Sequence, residues 1–520
     1  MMKIAFRADA TIQIGTGHIM RCLTLADALR EHGVQTSFIC RDLPGFPAKL
    51  FKDRGHELHM LPAPLDDKFT PQGGPAHAAW LRVPWEEDAA QTSRVLQRLG
   101  KLDWLVIDHY ALDCCWEESL RPYTKKIMVI DDLADRNHDC DLLLDQTMAA
   151  SDNSYVNLVP PACHFLLGPK YALLRPQFFR YRENALERKK RVSKIRNVLI
   201  AMGGTDPENI TGIVLQGLDL LDDKNINVTV VLGSSAPYLS KVAQQAQNFS
   251  FPVRVLSDVK KMAELMAEQD VCVGSGGMTA WERCVLGVPS IVIVFADNQA
   301  HVIDTLSAQG AVYFLGKAKE IFPKDIKNAL FFLKENPETY RTMVDNCLKV
   351  CDGKGTKRVL SSILAMGITL RLAEARDCRQ YWAWANDPIV RESSFSSATI
   401  PYEDHVKWFH SKLDDPESFL YVADLMDGTP VGQIRFEYSV PQTIISVSVG
   451  ERFRGFGLGT PLIKKSVVLF REQFSELSKI IAKIRLENDA SIAMFQRSGF
   501  VNVGIFQRLS GDSFVQMILN

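Results

Sequence analysis

The stretch Gly15-Thr16-Gly17-His18-Ile19-Met20-Arg21-Cys22 follows the apolar segment Lys3–Arg7 and opens a helical pattern. The helix predicted for Ile19–His32 has apolar residues at the spacing of one helix face, at Cys22, Leu25, Ala26 and Leu29. Gly33 supplies the stop signal of this helix. A strand, a glycine turn and an amphipathic helix in this order are typical of an α/β sheet whose ligands bind beyond the carboxyl ends of its strands.

The same alternation of strand and helix continues outward from this stretch. Further strands are predicted at Gln35–Cys40, Asp103–Asp108, Lys126–Asp131 and Asp141–Asp145. After the charged run Glu187–Arg191, which the general rule assigns to a solvated helix or linker, the alternation restarts. Its strands are predicted at Asn197–Met202, Asn227–Leu232, Asp270–Val273 and Pro289–Phe295. We therefore predict two Rossmann-like α/β domains, residues 1–190 and 191–355, with a cleft between them.

The pattern changes after Asp352-Gly353-Lys354-Gly355. The turn Asp427-Gly428 separates two alternating segments, Phe419–Asp424 and Gly432–Tyr438, and this is a hairpin signal. A strand at Thr443–Val449, a glycine-rich turn and a helix follow. These features predict a separate α+β domain over residues 366–520.

Composition and charge limit the classes of partner. The chain has 520 residues and a formal net charge of -1, so no general electrostatic attraction to nucleic acid is expected. The longest apolar run, Val288–Ala296, is too short for membrane insertion. The 11 cysteines include no C-x-x-C pair, which predicts reduced thiols in a cytoplasmic protein. No cluster with the spacing of metal ligands is seen, so we predict no metal.

His18 is the first candidate catalytic residue. It is expected at the start of a helix, above the carboxyl ends of the strands, where an imidazole can accept a proton near neutral pH. Asp9, at the end of the first strand, is a second candidate on the same rim. A histidine that caps the helix and an aspartate that caps a turn are the structural alternatives for these two residues.

Two turns of the second half can hold phosphate through backbone N–H groups. The first contains Gly203 and Gly204 within Met202–Pro207, and the second contains Ser275, Gly276 and Gly277 within Gly274–Glu282. Each lies between a predicted strand and a predicted helix. Glu282 could accept hydrogen bonds from a ribose diol, although a solvated helical carboxylate is the favoured alternative from sequence alone.

Together the motifs R-x-D, G-x-G-H-x-x-R-C, GGTDP, GSGGMTAWE and Asp297-Asn298-Gln299 resemble one family. It is the UDP-2,4-diacetamido-2,4,6-trideoxy-β-L-altropyranose hydrolases of bacterial pseudaminic acid synthesis, which have a glycosyltransferase B architecture. The resemblance covers about residues 3–350 and implies inverting hydrolysis at the anomeric carbon with UDP as leaving group. It implies that His18 activates water, that the glycine turns hold the diphosphate and that Glu282 meets the ribose. The resemblance further implies that Gly17 and Arg21 bind the UDP-activated amino sugar, and that Asn298 and Gln299 contact its sugar or its phosphate.

A second glycine turn lies in the C-terminal domain. The sequence R-x-x-G-x-G, between a strand that ends at Val449 and a helix, leaves backbone N–H groups free for a pyrophosphate. With Glu487–Phe495 about thirty residues later, it resembles the GNAT acetyltransferase superfamily. The resemblance implies acetyl-CoA as co-substrate, bound by Val449, Arg454, Gly455, Gly457 and Gly459 and, at its pantetheine arm, by Asn488.

The proton-transfer groups of this second domain are left open. Many members of the superfamily have a tyrosine where this chain has Phe495, which cannot protonate a departing thiolate. Glu487 and His405 are candidate bases, and each has a structural alternative as an ordinary surface or packed residue.

The pairing of the two resemblances predicts the acetyl acceptor. An N-acetyltransferase of the pseudaminic acid pathway makes the sugar nucleotide that the hydrolase cleaves, so the acceptor is expected to be a UDP-4-amino-4,6-dideoxy sugar. Two other functions stay open for the first 350 residues: sugar transfer to an alcohol, and non-catalytic sensing of a sugar nucleotide.

Overall fold

The computed structural model describes residues 1–11, 14–65, 69–148, 150–234, 236–295, 297–439, 442–474, 479–508 and 512–520. The chain divides into two compact units. The larger unit is Lys3–Val359, and the smaller unit is Leu360–Asn520 together with Met1–Met2. Each unit is described by itself below.

The first half of the larger unit is a seven-stranded parallel sheet covered by helices. Its strands are β1 (Lys3–Ala8), β2 (Gln35–Arg41), β3 (Glu57–Leu61), β4 (Leu102–Asp108), β5 (Thr124–Ile130), β6 (Leu142–Asp145) and β7 (His164–Leu167). Its helices are α1 (Gly17–Glu31), α2 (Ala48–Arg54), α3 (Trp85–Leu99), α4 (Cys114–Leu120), α5 (Asp152–Tyr155) and α6 (Pro176–Arg191). The strand order β3-β2-β1-β4-β5-β6-β7 reverses direction between β1 and β4. Ligands of open α/β sheets bind at such a reversal, beyond the carboxyl ends of the strands.

The second half repeats this plan with six parallel strands. They are β8 (Asn197–Ala201), β9 (Asn227–Leu232), β10 (Val253–Ser257), β11 (Val271–Ser275), β12 (Ser290–Val294) and β13 (Val312–Lys317). The helices are α7 (Ile210–Asp219), α8 (Leu239–Gln245), α9 (Met262–Ala267), α10 (Thr279–Val285), α11 (Asp297–Ala308), α12 (Pro323–Glu335) and α13 (Pro337–Val350). Helix α14 (Gly355–Met366) begins in this unit and ends in the smaller one. The order β10-β9-β8-β11-β12-β13 reverses between β8 and β11.

Both faces of the second sheet are buried. Along β8, Val198 and Ile200 pack into one apolar cluster, whereas Leu199 and Ala201 pack into another on the opposite face. Because both faces are covered, the strand is a continuous apolar run rather than an alternating one. Every described helix falls short of the length and apolar character that crossing a bilayer requires.

The smaller unit contains a seven-stranded mixed sheet. Its strands are β14 (Thr369–Leu372), β15 (Ser418–Asp424), β16 (Pro430–Ser439), β17 (Gln442–Val449), β18 (Lys479–Arg485), β19 (Val501–Gln507) and β20 (Ser513–Leu519), in the order β14-β15-β16-β17-β18-β20-β19. Its helices are α15 (Cys378–Ala385), α16 (Pro388–Glu392), α17 (Tyr402–Leu413), α18 (Gly459–Gln473) and α19 (Asp489–Arg497). Within this sheet β17 and β18 are parallel, and the neighbouring pairs are antiparallel. The predicted fold class, two Rossmann-like domains followed by an α+β domain, is confirmed.

Candidate functional site

His18 lies in the first turn of α1, at the sheet reversal between β1 and β4. Its Nδ1 is 2.6 Å from Oδ1 of Asp108, the last residue of β4. Asp108 is fully buried, whereas the His18 side chain keeps 10% of its exposure. With Nδ1–H donating to the carboxylate, the lone pair of the neutral ring is on Nε2, which is the tautomer that a general base requires.

Arg21 holds Asp108 in place from the next turn of the same helix. Its Nε donates to Oδ2 and its Nη2 to Oδ1 of Asp108, each at 2.6 Å. Burial acts to raise the pKa of Asp108, but Arg21 and then His18 outweigh it and hold that pKa well below its usual range. Arg21 also pairs with Asp132 at 3.2 Å, and its side chain is only 4% exposed. The guanidinium of Arg21 is bound to carboxylates and supports His18 through Asp108, and its predicted contact with the UDP-sugar stays a prediction.

Asp9 does not face the cleft. Its Oδ1 is 2.6 Å from Nη1 of Arg7 and accepts the backbone N–H of Arg41 at 2.7 Å. Asp88 pairs with both arginines, and all four side chains are completely buried. Burial acts to raise the pKa of Asp9, but Arg7 and His109 together outweigh it and the pKa lies far below its usual range. The prediction that Asp9 shares the rim with His18 is wrong: it belongs to an ion-pair network inside the domain.

Sequence reasoning missed Asp108 and Tyr110. The ring of Tyr110 meets that of His18 edge-on at 4.7 Å, and its hydroxyl donates to Asp132. The sequence does contain a signal for Asp108 as a site residue, because the apolar run Trp104–Ile107 ends in this aspartate. Polar residues at the carboxyl ends of neighbouring parallel strands meet at one edge of the sheet.

The turn after β8 leaves open space beside its glycines. Gly203 has a left-handed φ of 96°, and a Cβ atom at Gly203 or Gly204 would meet no other atom within 4 Å. The Gly204 carbonyl accepts the N–H of Gly233 at 2.8 Å, which fixes the turn. A ligand can therefore approach this backbone closely.

The helix that follows this turn is capped from within. The two carboxylate oxygens of Asp206 accept the N–H groups of Ile210 and Thr211, both at 2.9 Å. These donors of α7 are already engaged, so a phosphate at this turn would depend on the glycine N–H groups.

The turn Gly274–Thr279 contains the predicted residues Ser275, Gly276 and Gly277. Arg283, which is 1% exposed, donates to the Ser275 carbonyl at 2.8 Å and so supports the turn from behind. On its other side the turn reaches the first half: a Cβ atom at Gly17 would lie 3.9 Å from Cγ of Met278. The glycine turn before His18 therefore faces the second predicted phosphate turn across the cleft.

Glu282 lies in the first turn of α10. Its Oε1 accepts from Nη2 of Arg175 at 3.0 Å, and its side chain is 13% exposed. Burial raises the pKa of Glu282, and Arg175 opposes this in part. Its contact with a ribose stays a prediction. Asn298 and Gln299 open α11, but their side chains lie outside the described part of the structure.

The smaller unit contains a cavity of about 560 Å³ between two diverging strands. Strands β17 and β18 pair only from Gln442–Ile444 to Lys479–Ile481. Beyond this point they separate, and both strands line the cavity. All six predicted acetyl-CoA residues also line it: Val449, Arg454, Gly455, Gly457, Gly459 and Asn488.

The turn before α18 has the geometry that an anion requires. Gly455 and Gly457 have left-handed φ values of 79° and 68°. Gly459 begins α18, whose first turn has no side-chain cap, so its N–H groups are free of side-chain acceptors there. A Cβ atom at Gly459 would clash with Sδ of Met494 in its present position, so a larger residue there would require the methionine side chain to move.

The two polar residues predicted in this cavity are partly engaged. Nη2 of Arg454 is 2.8 Å from Asp387, and its Nε donates to the Val449 carbonyl at 3.0 Å. Arg454 thus stabilises the strand end, and its contact with a pyrophosphate stays a prediction. Asn488 caps α19 by accepting the Ser491 N–H at 3.0 Å, which leaves its amide NH₂ for a ligand.

The candidate proton-transfer groups do not gather at this cavity. Phe495 lines it, is 4% exposed and packs against Phe500. Glu487 is 73% exposed, and His405 is buried between the rings of Trp408 and Phe409. Neither Glu487 nor His405 belongs to the cavity lining.

The predicted absence of a metal stays a prediction. In the part of the chain that the structure covers, Asp113, Cys114 and Cys115 place ligand atoms within 4.8 Å of one another. None of these three was among the predicted site residues.

Comparison with known proteins gives two family matches. Residues 197–356 match the glycosyltransferase family 28 C-terminal domain, and residues 381–500 match the acetyltransferase (GNAT) family. The larger unit also resembles the crystal structure of Acinetobacter baumannii MurG, with a TM-score of 0.51 and 14% identity. That alignment covers 70% of this chain and 99% of the other, and it shows a shared fold.

Two relatives extend these matches. An uncharacterized protein of Methanocaldococcus jannaschii is 24% identical over 96% of both chains. The UDP-2,4-diacetamido-2,4,6-trideoxy-beta-L-altropyranose hydrolase of Campylobacter jejuni is 28% identical over 59% of this chain and 97% of its own. The resemblance to this hydrolase fused to a GNAT domain is therefore confirmed.

Proposed function

We propose that the chain is a bifunctional enzyme of pseudaminic acid synthesis. Its larger unit hydrolyses UDP-2,4-diacetamido-2,4,6-trideoxy-β-L-altropyranose, and its smaller unit N-acetylates the 4-amino group of the preceding UDP-sugar. The similar Campylobacter jejuni hydrolase supports the first activity, and the GNAT match supports the second. A Helicobacter pylori relative, 23% identical over 45% of this chain, carries the same hydrolase name together with a pseudaminic acid cytidylyltransferase.

The observation that carries the hydrolase proposal is the 2.6 Å contact between His18 and Asp108. A water molecule attacks C1 of the sugar and loses its proton to Nε2 of His18, while the bond from C1 to the UDP oxygen breaks. Asp108 fixes the tautomer and stabilises the imidazolium that forms. Attack opposite to the leaving group inverts the configuration at C1.

The leaving UDP is held by dipoles of the second half. Backbone N–H groups of Gly203, Gly204, Ser275, Gly276 and Gly277 face the developing charge of the diphosphate. Such preorganised donors are most effective at charge that grows in the transition state. Glu282 accepts from the ribose diol, and Asn298 with Gln299 contacts the sugar or the phosphate.

In the smaller unit, acetyl-CoA lies between β17 and β18 with its pyrophosphate at the 454–459 turn. The unpaired edges of the two strands offer N–H and C=O groups to the pantetheine amides. The amine of the acceptor attacks the thioester carbonyl and loses a proton to water, the C–S bond breaks, and water returns a proton to the departing thiolate. Phe495 supplies no proton to this step.

The experiment for the hydrolase is UDP release from the diacetamido UDP-sugar without an added acceptor. We expect release by the wild-type chain and its loss in His18→Ala and His18→Asn, whereas His59→Asn, a change on the edge strand β3, keeps full activity. Release that needs an added alcohol would instead favour a glycosyltransferase. Binding of the UDP-sugar without any release would favour a sensor.

A further inference from the structure

The segment 62–84, of which residues 62–65 and 69–84 are described, brings the aromatic side chain of Trp80 to His18. It connects β3, an edge strand, to α3, and β2 and β1 lie between β3 and the sheet reversal where His18 is found. Its 3-10 helix, Ala78–Leu81, places Trp80 with its ring centroid 6.4 Å from that of His18. Long connections of this kind in a domain are usually functional.

His77, Trp80 and Tyr110 form what we call the aromatic wall. The rings of Trp80 and Tyr110 are 5.5 Å apart and tilted by 34°, so they present similarly oriented faces. His77 meets the ring of Trp80 at 4.6 Å and that of Tyr110 at 5.4 Å. The rings of Trp80 and Tyr110 thus lie beside the proposed base, and the His77 ring packs against both of them.

Two members of the wall are only half-buried, unlike tryptophans of the core. Trp104 and Trp116 in the same half are completely buried, whereas Trp80 and His77 keep part of their surface exposed. When a ligand covers an accessible apolar ring beside a catalytic group, burial of the ring surface contributes to the free energy of binding. The position beside His18 indicates that the covering group is close to the reacting carbon.

We propose that Trp80 is a specificity-determining residue that packs on the apolar face of the sugar and selects a methyl over a hydroxymethyl substituent at C5. His77 is the positioning residue that holds the Trp80 ring from its edge. A hydroxyl placed against the ring face would lose water without gaining a hydrogen bond, and a methyl loses nothing. Apolar pockets reject an added hydroxyl by about 10- to 100-fold, which sets the expected preference.

This inference rests on the proposed function, and binding separates the two. In a His18→Asn background, which prevents turnover, we would measure the Kd of UDP, of UDP-N-acetylglucosamine and of its 6-deoxy analogue by calorimetry. The additional change Trp80→Ala should weaken the binding of the 6-deoxy sugar nucleotide by about 10-fold or more. It should also reduce the preference of the protein for this nucleotide over UDP-N-acetylglucosamine. The affinity for UDP should not change, because the wall meets the sugar.

Trp80→Phe and Trp85→Ala are the matched variants. The first retains an aromatic ring of smaller area and should keep most of the preference, whereas Trp85, at the start of α3, should have no effect. Equal weakening of UDP and both sugars by Trp80→Ala would show a structural role and overturn the inference, as would an unchanged preference. If the wild-type protein binds these nucleotides but releases no UDP from UDP-2,4-diacetamido-2,4,6-trideoxy-β-L-altropyranose, the proposed hydrolysis fails while the binding comparison still decides the role of Trp80.

Discussion

The candidate site around His18 is formed by buried, charged side chains. The candidate site around the 454–459 turn is formed instead by glycines and by the edges of two separated strands. Asp108 is completely buried and held by Arg21, so the first site depends on ion pairs that water cannot reach. The second site depends on backbone that must stay free of side chains. Removal of a charge should therefore damage the first site most, and addition of a Cβ atom should damage the second.

The largest expected effect is that of Asp108→Asn on UDP release. An amide in place of the carboxylate donates toward Nδ1 and favours the wrong tautomer of His18, so we expect kcat to fall about 10³- to 10⁴-fold. Acetyl transfer by the same preparation should be unchanged. The measurement is steady-state UDP release alongside thiol release from acetyl-CoA.

Asp132→Asn is the matched control for this change. Asp132 also pairs with Arg21 but accepts from Tyr110 rather than His18, so its loss should reduce UDP release far less. Equal losses in the two variants would mean that Arg21, not the imidazole, is the group that matters.

The second largest expected effect is that of Gly459→Ala on the binding of acetyl-CoA. The new Cβ atom would clash with Sδ of Met494, so either the helix start or the methionine must move. We expect about 10-fold weaker binding of acetyl-CoA and unchanged UDP release, on the general scale of overpacking effects. The measurement is the Kd of acetyl-CoA by calorimetry.

The double variant Gly459→Ala with Met494→Ala tests the cause. If the clash with Met494 is responsible, the double variant should bind more tightly than Gly459→Ala alone. A double variant as weak as the single one would point to the backbone of α18 instead.

A third prediction concerns the effect of pH on the stability of the larger unit, which is rich in buried charge. Burial raises the pKa of Asp145 to about 6, although the Thr147 N–H opposes this. Because the folded pKa lies above the unfolded one, this group favours the folded state at low pH, and that contribution is lost as pH rises through about 6. Asp145→Asn should therefore raise the free energy of unfolding at pH 7.5 by at most about 3 kcal/mol, with little effect at pH 4.

Urea unfolding at the two pH values measures this difference. The control is Asp53→Asn, because Asp53 is exposed in α2 and its loss should affect both pH values alike. If Asp145→Asn raises the free energy of unfolding equally at pH 4 and pH 7.5, the charge of Asp145 is not the cause.

The strands could be predicted because burial on both faces of the sheet dominates the choice of their residues. In sheets that are covered on both faces, apolar runs between turn residues define the strands, and β4 is observed at Leu102–Asp108 where Asp103–Asp108 was predicted. The glycine turns were equally visible, since positive φ and close approach of a ligand both favour glycine. The family resemblance then supplied the functions of these turns.

The roles of individual charges could not be predicted, because they depend on distant partners. Asp9 and Asp108 each stand at the carboxyl end of a central strand, yet Asp9 pairs with Arg7 and Asp108 with His18. Lys189 shows the same limit: it lies in a charged run predicted to be solvated, but it is 6% exposed and donates to the carbonyl of Gln269. Sequence spacing identifies the charged groups, and only the packing of the domain assigns their partners.

The smallest expected effect is that of Glu487→Gln on acetyl transfer. Glu487 is 73% exposed and does not line the cavity, so its carboxylate is poorly placed to take a proton from an amine at the thioester. We expect the rate of thiol release at saturating acetyl-CoA to stay within about twofold between pH 6 and 9, whereas general bases contribute at least about 100-fold. The neighbouring change Asn488→Ala, at a residue that does line the cavity, should raise the KM for acetyl-CoA. A large loss in Glu487→Gln that grows toward low pH would assign the base to Glu487. An unchanged profile means that the acceptor amine reaches this site already deprotonated or loses its proton to water, which is consistent with a cavity where Phe495 also supplies no proton.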